Sequence, residues 1–231
     1  MERMLSSNAS LAAEQSSVRI RLMVGLALAG LVWLVGLVGH FTPLAEWPAL
    51  FLYVIGSLAI ALVLGIRDRL WDTMWITGRG LKRALAWGSG IGLALLVIDN
   101  INTYMYYRSG GAPMAQMEEI LIGMRLAFFF PLLVLAEEFL WRGVLLSGLH
   151  DAGMNRHLAV LLTTVAYALN HFAVAPVDMI ERAMMAAMGL PIGIAGGYLA
   201  LKTRNVWAAV ALHSLTMVSM IVDIFVIPRL V

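Results

Sequence analysis

The chain predicts an all-α fold: a polytopic transmembrane bundle of about seven spanning helices, with an amphipathic segment on its cytoplasmic side. Three observations predict it. Hydrophobic residues make up 61% of the 231 positions and charged residues only 13%. Mean hydropathy is +0.85, more apolar surface than a soluble domain of this size can hide but readily solvated by a bilayer. The apolar residues also fall into runs of about 20, the length needed to cross the hydrocarbon layer as a helix. Short polar loops separate them.

Taken in order, residues 1–18 are polar and lack the basic-then-apolar pattern of a signal peptide, so they read as a short tail. Residues 19–231 read as one integral-membrane domain with spans at 20–40, 47–66, 84–106, 120–148, 157–174, 179–201 and 206–227. The fourth is too long for one perpendicular crossing and is expected to tilt, or to emerge at its C-terminal end. Residues 67–83 place Trp71 and Trp75 among basic side chains, with Trp87 close behind, a composition suited to an interfacial segment. The absence of cysteine excludes disulfides and thiolate metal sites. A net charge of +2 with scattered basic residues excludes nucleic acid as a partner. No internal repeat of the transporter kind is visible.

The Lys and Arg residues set the orientation. Arg3, Arg19, Arg21, Arg67, Arg69, Arg79, Lys82, Arg83, Arg156, Lys202 and Arg204 fall on one side, against Arg108, Arg182 and Arg229 on the other. Arg125 and Arg142 fall inside spans. The N-terminus is therefore expected in the cytoplasm and the C-terminus outside. Compact size and short loops point to a prokaryotic cytoplasmic membrane.

Polar residues within the spans carry the chemistry. A carboxylate in a membrane helix costs about 2.5–3.5 kcal/mol on insertion scales, and Glu137 and Glu138 stand side by side with Arg142 one turn on. Glu138 and Arg142 are four apart, in the orientation that favours an ion pair. Glu137 is turned about 100° away, which leaves it free to face a cavity and take a proton from water. At 1.5 Å per residue, Glu137 lies roughly 20 Å, His171 roughly 21 Å and His213 roughly 12 Å from the cytoplasmic helix ends. These three groups can share a layer, and Tyr167, four residues before His171, can face the same neighbour. Asp99, with Asn100 and Asn102, reads as a polar helix contact or the wall of a substrate path. Gly189, Gly193, Gly196 and Gly197 read as a small-residue packing surface.

These residues resemble the CPBP family of intramembrane glutamic endopeptidases, which includes CAAX-prenyl proteases and bacteriocin-processing proteins. Glu137, Glu138 and Arg142 match its Glu-Glu-x-x-x-Arg motif, and Tyr167 and His171 its aromatic-x-x-x-His motif. His213 matches the start of His-x-x-x-Asn/Asp, but Met217 replaces the last residue. The match covers about residues 120–220. The resemblance implies a protease without metal or other cofactor, in which Glu137 and His171 activate water and His213 helps stabilise the oxyanion. Glu138, Arg142 and Tyr167 would support the site. It implies membrane lipid and a protein or peptide substrate as partners, prenylated in one branch of the family, where the cavity opens to the cytoplasm. Met217 cannot donate the hydrogen bond that Asn would; Asn170, or Thr216 on a different helical face, are the alternatives nearby.

Three other readings follow from the same residues. A divalent metal could sit on His171, His213 and one glutamate, although no His-Glu-x-x-His helix is present. Met217 favours a non-catalytic peptide-binding, immunity or scaffold protein of the same fold. Intramembrane carboxylates also mark proton relays, which would suit a proton-coupled transporter.

Overall fold

The computed structural model describes the backbone of residues 2–231 and the side chains of residues 15–231. Helices α1 (Glu2–Gly39), α2 (Trp47–Ile66) and α3 (Leu81–Arg108) precede a short helix α4 (Ala115–Glu118). Then come α5 (Phe130–Glu138), α6 (Ser147–Asp151), α7 (Arg156–Val174), α8 (Met179–Thr203) and α9 (Trp207–Phe225). No strand forms among the described residues. Among the described residues six helices are long and apolar enough to cross a membrane, and the α4–α6 segment makes a seventh if counted as one broken span. Their outward faces carry Leu34, Phe51, Ile55 and Leu161, all exposed, as lipid contact requires. This is an all-α integral membrane protein.

The spans match the runs read from the sequence, with one correction. The fourth does not tilt as a single rod; it breaks. Ala115–Gly123 and Leu126–Asp151 meet at 72°. Gly123 ends the first piece, Arg125 takes a left-handed backbone (φ +59°), and Pro131 occupies the first turn of α5, where its missing N–H removes no helical bond. Arg125, expected inside a span, is exposed at this break. The polar stretch read as a tail, residues 1–18, has its side chains up to residue 14 outside the described residues; along the backbone α1 continues through it.

The segment expected to be amphipathic is not a helix. Residues 67–80 form a series of turns. They turn Met74 and Trp75 into the protein, both buried, and seal one end of the bundle. Val206 N–H donates to the Trp75 carbonyl at 2.9 Å, and the Asn205 amide donates to the carbonyls of Thr77 and Arg79 at 2.9 Å each. Arg21 adds α1 to this end, donating to Ser147 Oγ at 2.7 Å, to Asp151 at 2.8 Å and to the Thr73 carbonyl at 3.3 Å. Because its side chain is fully buried, Arg21 serves as an interior tie rather than a free loop charge.

A second network ties the elements together at the opposite end. Arg182, also counted from sequence as a loop charge, is buried. It pairs with Glu46 at 2.6 Å and donates to the carbonyls of Val177 at 2.7 Å and Phe172 at 3.0 Å. Its neighbour Glu181 accepts from the amides of Gln116 (3.2 Å) and Met117 (2.8 Å), so one turn of α8 anchors the α1–α2 corner, the α7–α8 connection and α4. Asp178 caps this turn, accepting from Ile180 and Glu181 N–H, and Asn155 caps α7 in the same way.

Between the two ends, α3 packs along α9, α7 along α8 and α1 along α2. Glycines permit these approaches. A Cβ at Gly88 would collide with the backbone carbonyl of Ala208, and one at Gly36 with that of Ala173. The expected glycine surface of α8 divides in role: Gly193 and Gly197 meet Thr164 and Val160 of α7, whereas Gly189 faces His171 and Tyr167, and Gly196 faces Arg142.

Candidate active site

Glu137 and Glu138 close α5, and the chain then widens into π-helical turns over Phe139–Leu146. Such turns are rare within helices and recur at functional sites. Glu137 lies on a face of α5 shared with Phe130 and Leu133, and all three line a cavity of about 80 Å³. That is room for a few water molecules. Tyr167 and His171 of α7 and His213 of α9 line the same cavity. The structure thus gathers the residues expected from three separate spans around one buried space.

The two carboxylates differ as their helical positions imply. Glu138 is fully buried and accepts from Arg142 at 3.1 Å and from His213 Nδ1 at 2.8 Å. Arg142 also donates to the Ile192 carbonyl at 3.3 Å and stacks its guanidinium over the Tyr167 ring at 4.9 Å. Both groups lie behind the cavity, among helices α5, α7, α8 and α9. Among the described residues Glu137 pairs with no arginine. Its Oε2 accepts from the Tyr167 hydroxyl at 3.2 Å and lies 3.5 Å from His213 Nε2. His213 therefore stands between the two glutamates, one ring nitrogen toward each.

His171 Nδ1 lies 3.1 Å from the carbonyl of Tyr167. A carbonyl only accepts, so Nδ1 carries the hydrogen and Nε2 presents its lone pair. Tyr167 is the hub. Its ring packs edge-on against Trp141, His171 and His213, with centroids 6.1, 4.9 and 6.1 Å away. Its hydroxyl reaches both Glu137 and His213 Nε2, the latter at 3.4 Å. Trp141 is fixed in turn by donating to Tyr53 Oη at 2.6 Å.

Met217 lines the cavity beside these groups, and neither alternative donor takes its place. Thr216 donates to the His213 carbonyl at 2.8 Å and faces a different cavity. The Asn170 side-chain oxygen accepts from Trp33 Nε1–H of α1 at 3.0 Å, and Asn170 does not line the cavity. Beside Met217 in the cavity stands the Tyr167 O–H, directed at Glu137 Oε2.

Asp99 and Asn102 lie away from this site, on a small cavity between α3, α8 and α9. Asn100 donates to Ser219 at 2.8 Å and to Asp223 at 2.9 Å, a polar contact between α3 and α9. Asp223, buried in α9, escaped the sequence reading, as did the pairing of Glu46 with Arg182; no motif marks either. Among the described residues no three His, Asp or Glu side chains are grouped to hold a metal ion. Both ring nitrogens of His213 already face carboxylates, which does not fit the metal-binding reading.

The direction of the cavity corrects a second expectation. Its walls include Leu50 in the first turn of α2, Met117 of α4, and Val174, Pro176 and Val177 between α7 and α8. All lie toward the Glu46–Arg182 end. None belongs to the basic loops at the other end, where Arg21 fixes the N-terminal part of α1. A cytoplasmic N-terminus and a cavity opening to the cytoplasm therefore cannot both hold. A larger groove, lined entirely by apolar side chains such as Phe51, Phe129 and Leu132, lies between α2 and α5 and shares Leu50, Leu126 and Leu133 with the cavity.

Residues 118–219 match the family described as Type II CAAX prenyl endopeptidase Rce1-like, which bears out the resemblance carried by the motifs. The matched segment holds Glu137, Glu138, Arg142, Tyr167, His171, His213 and Met217. No curated protein and no solved structure matches the chain.

Proposed function

We propose that this chain, matched over residues 118–219 to a family of CAAX prenyl endopeptidases, hydrolyses a peptide bond in a membrane-associated or lipid-modified protein or peptide. The observation that carries the reading is the convergence of Glu137, His171, Tyr167 and His213 on one buried cavity. Glu137 is the general base. A water held between its carboxylate and His171 Nε2 gives up a proton to Glu137 as its oxygen attacks the scissile carbonyl. The proton then passes to the departing amine as the C–N bond breaks. Glu138 and Arg142 hold His213 in place. Its Nε2 is thereby turned into the cavity, toward the place where the oxyanion forms. No step needs a metal. The apolar groove beside the cavity suits a substrate with an apolar anchor.

Met217 favours a second reading, a peptide-binding protein without catalysis, because the family's amide donor is missing. Against it stands Tyr167, whose hydroxyl donates to Glu137 Oε2 and, once that carboxylate has taken the proton from water, turns to the oxyanion as its second donor. Purified protein in detergent is expected to release the C-terminal fragment of a prenylated peptide ending in a CAAX sequence, at a rate unchanged by a chelator. Tyr167→Phe should lower kcat by about 10²–10³-fold, the usual cost of one oxyanion donor, with a smaller effect on KM. Met217→Asn in that background should restore part of the loss. Peptide bound but never cleaved by the parent protein would establish the non-catalytic reading instead.

A further inference from the structure

We infer that the active-site cavity opens on the extracytoplasmic side of the membrane, so that the substrate is a peptide presented from the outer leaflet; this rests on the endopeptidase reading above. Two independent observations meet here. The first is the direction of the cavity. From Glu137 it runs to Val174–Val177, Met117 and the first turn of α2, the end that carries the Glu46–Arg182 pair. The second is charge. Arg19, Arg21, Arg67, Arg69, Arg79, Lys82, Arg83, Arg156, Lys202 and Arg204 all belong to the opposite end, together with Arg3 by sequence. The cavity end has Arg108, Arg125, Arg182 and Arg229, Arg125 now among them because the fourth span breaks there. Lys and Arg in short loops are retained in the cytoplasm during insertion. Eleven against four, or ten against three with the buried Arg21 and Arg182 set aside, places the basic end inside and the cavity mouth outside.

The consequence is a substrate class. A mouth on the outer side receives peptides that have already crossed or span the membrane, with the scissile bond near the outer surface. A cytoplasmic protein carrying a lipid on its C-terminus would meet the sealed end, where residues 67–80 and Asn205 are bonded together.

The chain contains no cysteine, so single cysteines report sidedness without background. Ser109→Cys marks the cavity end and Ala152→Cys the basic end; both positions are exposed. In intact bacterial cells a membrane-impermeant maleimide is expected to label the Ser109→Cys variant, and to label the Ala152→Cys variant only after lysis. A peptide that the purified protein cleaves in detergent should be cut when added to spheroplasts and spared by sealed inside-out vesicles. Reversed labelling, or cleavage confined to inside-out vesicles, overturns the inference while leaving the endopeptidase reading intact. Absence of cleavage in detergent overturns the endopeptidase reading, and the substrate assignment with it.

Discussion

Glu137→Gln is expected to lower peptide cleavage by about 10²–10⁴-fold, the range for loss of a general base, without unfolding the protein. The substitution keeps the shape of the side chain and leaves an amide oxygen to accept from the Tyr167 hydroxyl, now 3.2 Å from Glu137 Oε2. It removes the carboxylate that, among the described residues, lines the cavity without an arginine partner. What disappears is the capacity to take a proton from water. The loss should fall on kcat, with KM little changed, because the group acts on the reacting water rather than on the bound peptide. Unfolding of the variant in detergent should match the parent or improve on it, since a buried charge has been deleted. A Gln variant that cleaves at the parent rate would assign the base to another group, His171 being the next in line.

Much of this site was legible in the sequence because a membrane makes polar residues conspicuous. Glu137, Glu138, His171 and His213 stand out against Leu and Val, and helical spacing alone separates the carboxylate that pairs with Arg142 from the one that faces the cavity. The seven spans were legible for the same reason: apolar runs have a required length. What escaped depends on contacts distant in sequence or on local backbone geometry. The break at Arg125 follows from a left-handed residue that no pattern announces. The π-helical turns after Glu138 shift every face counted past that point from ideal helix geometry. Arg21 and Arg182 look like loop charges until their partners Asp151 and Glu46 are in place. Residues 67–80 carry interfacial composition, yet Met74 and Trp75 are drawn inward because they cap the bundle. The direction of the cavity was the least legible feature, since it depends on which helix ends splay.

Arg142→Met should destabilise the fold by about 3–5 kcal/mol, the cost of leaving a buried charge without its partner. Glu138 is fully buried, and Arg142 is 2% exposed. The pair lies at 3.1 Å, with one oxygen of Glu138 already lacking a hydrogen-bond partner among the described residues. Methionine fills much of the arginine volume but leaves Glu138 to His213 alone, and it leaves the Ile192 carbonyl without its donor. It also removes the cation stacked on Tyr167, so the ring that carries the catalytic hydroxyl loses one wall. Glu138→Gln combined with Arg142→Met deletes both charges and should recover most of the stability, because replacing a buried pair with neutral groups is often close to neutral in energy. Activity should not recover with it. Glu138 also orients His213 through Nδ1 at 2.8 Å, and a glutamine there offers that nitrogen a weaker, uncharged acceptor. Denaturant unfolding in detergent for the parent, both single variants and the double variant closes the thermodynamic cycle. Losses that simply add in the double variant would show that Glu138 and Arg142 do not stabilise one another, and would separate the geometry of the pair from any role in holding His213.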